Sequence, residues 1–303
     1  MFDWLRGISD YTMIIIVGTV MGVLCRLSML KTDYRQYPTY PHGRIVHIAL
    51  GVIASGLGAV LIPSILQKNY TAVTFLAMAA SQFRDVRNME RQMLTNCDSM
   101  ELVPRGITYI EGIAMAFEGR NYLVILTAFF AALAAHFFHW YGGVIVGGIL
   151  IYALARFMSG RSVGDIAKIR EGKVHFKGAN LHIDDILIYN AGLKNSQERL
   201  VKNGVGIILE PINADANVTL SNLGQRQAIM HDVSTILGVY RDSGEPSLIP
   251  LAKRDLDTGR LAIFLLPLDR DVEKVKAIVA KSPVLEAAHR RPLQADVQPD
   301  TKL

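Results

Sequence analysis

The sequence predicts an α-helical polytopic membrane domain of about five transmembrane helices, followed by a cytoplasmic α/β domain, α+β and ferredoxin-like with βαββαβ order. Three observations predict it. Five stretches are apolar over helical lengths. The Lys and Arg clusters all fall on one side of those stretches. Past residue 158 the composition turns to that of an ordinary soluble domain. Half of the 303 residues are hydrophobic and yet 19% are charged, because the two parts of the chain differ sharply. The expected organisation is a transmembrane domain over 1–158, a cytoplasmic domain over 159–288 and a flexible tail over 289–303.

The apolar stretches run over 11–30, 45–66, 70–83, 121–140 and 142–157. A helix rises about 1.5 Å per residue, so about 20 apolar residues cross the hydrocarbon core. The first, second and fourth stretches meet that length. The fifth is shorter and takes the Trp140-Tyr141 edge as its interfacial anchor. The third has fourteen residues and reads as a helix continuing into the polar run after it.

Orientation comes from the loops. Lys31, Arg35 and Arg44 stand against Asp33 in one, and Arg84, Arg87, Arg91, Arg105 and Arg120 lie in the next. Arg156, Arg161, Lys168 and Arg170 follow the fifth stretch, whereas the opposite loops hold Lys68 alone. Positive-inside bias therefore places the N-terminus outside and the C-terminal domain in the cytoplasm. Five crossings agree with every loop; a third stretch that turned back would conflict at one.

The net charge of +5 lies largely in these juxtamembrane loops. It points to anionic membrane lipids as partners and not to nucleic acid. Cys25 and Cys97 form no CxxC, so no disulfide framework is expected. The first apolar stretch lacks a small-residue cleavage site and reads as retained. Small residues recur at four-residue spacing: Gly18 and Gly22; Gly51, Ser55 and Ala59; Ala54 and Gly58; Gly143 and Gly147. Such spacing serves close helix packing, within the chain first and in a homo-oligomer second. Arg26 and His47, near the cytoplasmic ends of their stretches, read as snorkelling anchors. His136 and His139 share a helix face at i,i+3, but no HExxH accompanies them, and no metal or cofactor is expected.

The densest polar information is the run 82–91. Phe83, Val86, Met89 and Met93 make an apolar stripe at helical spacing. Arg84, Asp85, Arg87, Glu90 and Arg91 alternate in sign, so i,i+3 and i,i+4 pairs can form. The run is either a helix lying on headgroups or a charge network that docks another element. That element would be 104–121, which opens with Pro104 and Gly106 and carries Glu111 and Glu118 in an apolar setting. Carboxylates there are costly unless paired. The expected structural network is therefore Arg84, Asp85, Arg87, Glu90, Arg91, Glu111 and Glu118.

Residues Tyr109, Ile110, Glu111, Gly112, Ile113 and Ala114 spell YIEGIA. Together with DYRQYP at 33–38, AVTFL at 72–76, QFRDVRNMER at 82–91, FEGRNYL at 117–123 and NLGQRQAI at 222–229, this hexapeptide makes the chain resemble the YIEGIA family of membrane proteins from endospore-forming bacteria. The resemblance covers nearly the whole chain. It implies a bacterial inner-membrane protein connected with sporulation, in the forespore or mother-cell membrane, working with a small companion protein. It implies no catalytic residue.

In the soluble part, strands are expected at 173–176 and 181–189, and a helix at 195–202. The βαββαβ order follows. A strand at 205–210 leads to a helix at 225–237 capped by Asn222. A hairpin of 247–253 and 260–266 turns about Asp257-Thr258-Gly259. A helix at 269–281 ends at Pro283, and an edge strand at 284–287 closes the order. Gly204-Val205-Gly206 lacks the remainder of a dinucleotide fingerprint and reads as a turn.

Two functions from different classes remain. One is a membrane scaffold, without catalysis of its own, that anchors a sporulation-associated complex. The other is a membrane-embedded acid peptidase using Asp85 and Glu111, with Glu118 as the spare acid. An acid pair needs one protonated and one ionised carboxyl in a restricted site, and no GxGD, HExxH or GxSxG pattern accompanies these residues. The scaffold is the leading reading.

Overall fold

The structure is a computed structural model that describes residues 10–33, 41–158, 160–240 and 248–288. Most of DYRQYP, the start of the expected hairpin at Ser247 and the expected tail lie outside the described residues. The chain forms two compact units: Met1–Met93 with Ile113–Gly160, and Leu94–Gly112 with Arg161–Leu303.

The first unit is helical: α1 (Asp10–Asp33), α2 (Pro41–Leu66), α3 (Tyr70–Ser81), most of α4 (Phe83–Asp98) and most of α5 (Ile107–Phe157). Among the described residues, three helices are long and apolar enough to cross a membrane, over Asp10–Leu30, Gly43–Leu66 and Ile107–Phe157. The last has 51 residues. Straight, it would run about 76 Å, more than twice a hydrocarbon core of about 30 Å. Phe138 (φ −123°, ψ 24°) and His139 (φ 58°, ψ −177°) leave the helical region and break it. The chain then doubles back, so that a Cβ on Gly143 would lie 2.7 Å from the carbonyl oxygen of Ala131. The break also corrects the expectation that His136 and His139 share a helix face.

The small-residue spacings are spent inside the unit. A Cβ on Gly18 would meet Ala59 and Ala132, each at 2.9 Å, and one on Gly58 would run into the Ile125 carbonyl. α1, α2 and the first leg of α5 thus approach at backbone distance, as van der Waals packing in lipid requires. The helix α3 has twelve residues and no buried side chain. Gln82 keeps φ −65° and ψ −18°, so α4 follows with a nearly helical join. The buried face of α4 differs from the expected stripe. Phe83, Glu90, Leu94 and Asp98 are buried, whereas Met89 is 60% exposed.

The second unit is a three-layer α/β structure. Its main sheet is antiparallel in the order β1 (Ala167–Gly172), β5 (Val205–Pro211), β7 (Leu261–Leu265), β6 (Leu251–Arg254). A meander of β2 (Val174–Lys177), β3 (Asn180–Ile183) and β4 (Ile186–Asn190) forms a second sheet. Both faces of β5 and β7 are covered, which explains their unbroken apolar runs. Ile207, Leu209, Leu261 and Ile263 share a core with helices α7 (Ala214–Ser221), α8 (Leu223–Leu237) and α9 (Val272–Lys281). Ile208, Ala262 and Phe264 share one with the meander and with Leu200 of α6 (Lys194–Asn203).

Three expectations are corrected here. The edge beside β5 is held by β1, which comes from before the βαββαβ segment. Residues 284–287 make no strand: Pro283 forms an isolated bridge to Ser162, and Glu286–Ala288 is a 3-10 turn. The stretch 181–189 is two strands, because Asp184 adopts φ 52° and turns the chain. Asp tolerates that region better than most side chains. The helix α7 was not expected from the sequence, although Asn213 caps it by accepting from the Ala216 amide at 2.8 Å.

Candidate functional site

The densest buried charge in the molecule lies in the helical unit. On α1, Arg26 and Asp33 are seven residues apart, two turns along one face. His47 comes from α2, Glu90 from α4, and Phe117 and Arg120 from α5. Arg26, Asp33, His47 and Arg120 are at most 3% exposed, and Glu90 is 5% exposed.

Arg26 Nη1 lies 2.8 Å from Asp33 Oδ2. Its Nε donates to the His47 carbonyl at 3.3 Å, and its guanidinium sits 5.4 Å from the centre of the Phe117 ring. Arg120 pairs with the other Asp33 oxygen. The His47 ring lies tilted by 37° against Phe117 with ring centres 4.7 Å apart, and its Nε2 is 4.0 Å from Glu90 Oε1. Gly51 makes room for the stem of Arg26: a Cβ there would overlap Arg26 Cγ. The Asp33 carboxylate, held between two guanidinium groups, ties α1 to α5, and the contacts of His47 with Arg26 and Glu90 bring in α2 and α4. Buried guanidinium groups are tolerated where they face a carboxylate, as Arg26 and Arg120 face Asp33. Arg26 and His47 are therefore not snorkelling anchors.

The expected network residues distribute unevenly. Arg87 Nη1 donates to Glu118 Oε2 at 3.2 Å, both partly exposed, and so joins α4 to α5. Glu90 turns inward to His47. Arg84, Asp85 and Arg91 are exposed on α4, and Glu111 is half-buried on the part of α5 that belongs to the second unit. The sequence reading missed Asp33 and Arg120. The seven-residue spacing of Arg26 and Asp33 was the available signal.

The second unit has its own polar junction, built around the segment before α5. The Asp98 carboxylate accepts from the Arg105 and Gly106 amides at 2.6 and 3.1 Å. Arg105 itself reaches Glu101 Oε1 at 3.1 Å. Gln227 Oε1 accepts from the Tyr109 amide at 3.2 Å. His231 Nδ1 donates to the Val103 carbonyl at 2.8 Å, which fixes the proton on that nitrogen. The Gln225 side chain donates to the Pro283 carbonyl and accepts from the Leu285 amide, at 3.0 and 2.8 Å. Burial, then the nearby Arg105, lowers the His231 pKa. Burial pushes the Asp232 carboxyl up to about 6, against the opposing Ser282 hydroxyl and Arg105. Among the described residues, no group of three or more His, Cys, Asp or Glu is placed to hold a metal ion.

Both halves of this junction, 103–112 and 222–231, contain segments by which the chain resembles one family. The sequence model of the family described as YIEGIA protein matches residues 14–295. The chain belongs to the YIEGIA family. It is similar to the protein of Bacillus subtilis (strain 168) named uncharacterized protein YphB, at 54% identity over 286 residues, covering 94% of this chain and 96% of the relative. No solved structure matches the chain. In this YIEGIA protein the first four residues of the signature hexapeptide are a packing element. Tyr109 and Ile110 are each 1% exposed, and a Cβ on Gly112 would press on Ala287 at 3.3 Å.

Proposed function

We propose that this YIEGIA protein is an integral membrane scaffold that anchors a sporulation-associated protein complex and has no catalysis of its own. The observation that carries the reading is the Arg26–Asp33–Arg120 pairing. The charged groups buried in the helical unit are directed at one another, where they hold helices in register. The exposed position of Asp85 on the first turn of α4 favours the scaffold over an acid pair of Asp85 and Glu111, since an acid pair needs a restricted site.

In this reading the chain sits in the bacterial cytoplasmic membrane, of forespore or mother cell, and crosses it five times. Its N-terminus is outside. The two legs of α5 make the fourth and fifth crossings, and α3 with the start of α4 makes the third. The α/β unit is cytoplasmic and recruits a small companion protein. Anionic lipids surround the arginine-rich loops.

Co-purification from sporulating cells tests the proposal, with the wild type compared with Glu111→Gln. The scaffold reading expects a stoichiometric partner with the wild type and the same partner with the variant. Accumulation of an uncleaved protein in the variant, with its own level normal, would favour the peptidase.

A further inference from the structure

The α/β unit contains a cavity of about 480 Å³ where β1 leaves the main sheet for the meander. That volume is in the range of small-molecule sites, roughly 300–1,000 Å³. Its walls come from the end of β1, the start of β5, helix α6 and the approach to α9. Val174, Val201, Val205 and Val272 supply apolar surface. Lys173 and Arg270 supply two cations. Both are exposed, and among the described residues neither side chain is ion-paired.

The charges in the wall are not equivalent. Asp184 accepts from Arg170 Nη1 at 2.6 Å and from the Lys173 amide at 2.8 Å, so its carboxylate is already compensated. Glu171 is exposed at the same wall and adds one acceptor. The uncompensated donors are thus an ammonium and a guanidinium, which match the charge and oxygen geometry of a phosphate. Gly204-Val205-Gly206 borders this cavity, although not as a phosphate loop. Gly206 is glycine because a Cβ would stand 2.8 Å from the Gly172 carbonyl, so its role is close approach of the strands.

We propose that this cavity binds a phosphate ester carrying a short hydroxylated body, with Lys173 and Arg270 on the phosphate, the valines against the carbon skeleton and Glu171 accepting from a hydroxyl. A lipid headgroup and a free polyol phosphate share this chemistry. The site goes beyond the scaffold reading and does not depend on it.

The test is calorimetric titration of the full chain, in uncharged phosphatidylcholine nanodiscs, with glycerol 3-phosphate. A second arm titrates a short-chain phosphatidylglycerol. One saturable site is expected for at least one probe, and the arm that binds identifies the source. Lys173→Ala and Arg270→Ala should each weaken it at least about tenfold, the loss expected when a charge-assisted contact goes. Val201→Trp, which fills the mouth and leaves both cations, should weaken it comparably, whereas Lys202→Ala should leave it unchanged. If neither probe saturates, or if binding survives both Lys173→Ala and Arg270→Ala, the proposal is overturned. So would it be if Lys202→Ala matched them, because binding would then be diffuse electrostatics.

Discussion

Asp33 is the residue on which the helical unit turns. It is 1% exposed and meets two guanidinium groups, so removing its charge leaves two buried cations facing each other. Breaking a buried pair typically costs about 3–5 kcal/mol, a large part of the stability of a marginal fold. Asp33→Asn should therefore lower the melting temperature in detergent and the steady-state level in cells. Pairing it with Arg120→Gln should cost less than the two single losses added together. Additive losses would mean that the two side chains are not coupled. Asp232 gives a prediction with a pH signature. Its folded pKa is raised to about 6 by burial, above the unfolded value of about 3.9. Its stabilising contribution is complete below about pH 4 and is lost as pH rises through about 6. At about 1.4 kcal/mol per pKa unit the loss approaches 3 kcal/mol. Asp232→Asn should then raise the melting temperature at pH 7.5 and give no gain at pH 4. A gain that is equal at both values would contradict the assignment. His231, with its pKa lowered, acts in the opposite sense: its contribution is present above about pH 6.5 and is lost as pH falls below it.

Among the elements, α4 and α5 are joined by the pair of Arg87 and Glu118. Reversing either charge alone should reduce abundance, and the exchange Arg87→Glu with Glu118→Arg should restore much of it. Because the pair is partly exposed, the effect should be about 1 kcal/mol, well below that at Asp33. Failure of the exchange to rescue would remove the pair from the account. A pair of this kind was legible in the sequence, since Glu118 in an apolar run needs a partner and α4 is the arginine-rich neighbour. The long apolar helices and the strands β5, β6 and β7 were legible for a similar reason: period and length alone specify them. The edge strand was not. Local pattern says that 284–287 is extended, but not that β1 reaches the position beside β5 first. The break in α5 was legible as the gap between the fourth and fifth apolar stretches, but its place at Phe138-His139 was not, because nothing there marks a turn before Gly142 and Gly143. His139 pays for that geometry, since its backbone lies where glycine alone is at ease. His139→Gly should raise the thermal stability of the detergent-solubilised protein by about 1 kcal/mol or more, and a loss of stability would mean that the break is held by the imidazole itself.

At the scale of the whole molecule, the charges of α1 and α2 were visible in the sequence but their pairing was not. Arg26 and His47 looked like anchors because their height in the helix is visible and their neighbours are not. Asp33 looked like a loop charge for the same reason. The family signature was legible letter by letter, yet the part played by its first four residues, packing in the α/β unit, needed the close approach of Gly112 to Ala287. The proposed topology predicts that a reporter fused after Ala287 reads as cytoplasmic and one inserted at Lys68 as external. An external C-terminal reporter would sink it. The central claim is that the acidic residues near the family signature are structural and not catalytic. It is tested most directly by the double variant Asp85→Asn with Glu111→Gln, expressed at the native locus and followed through sporulation. The account predicts near-normal protein level, an unchanged set of co-purifying proteins and normal spore formation, because Asp85 is exposed and glutamine at 111 keeps the size and hydrogen-bonding capacity of the side chain. A variant present at its normal level that loses function, while an uncleaved protein accumulates, would contradict the account and establish the acid pair.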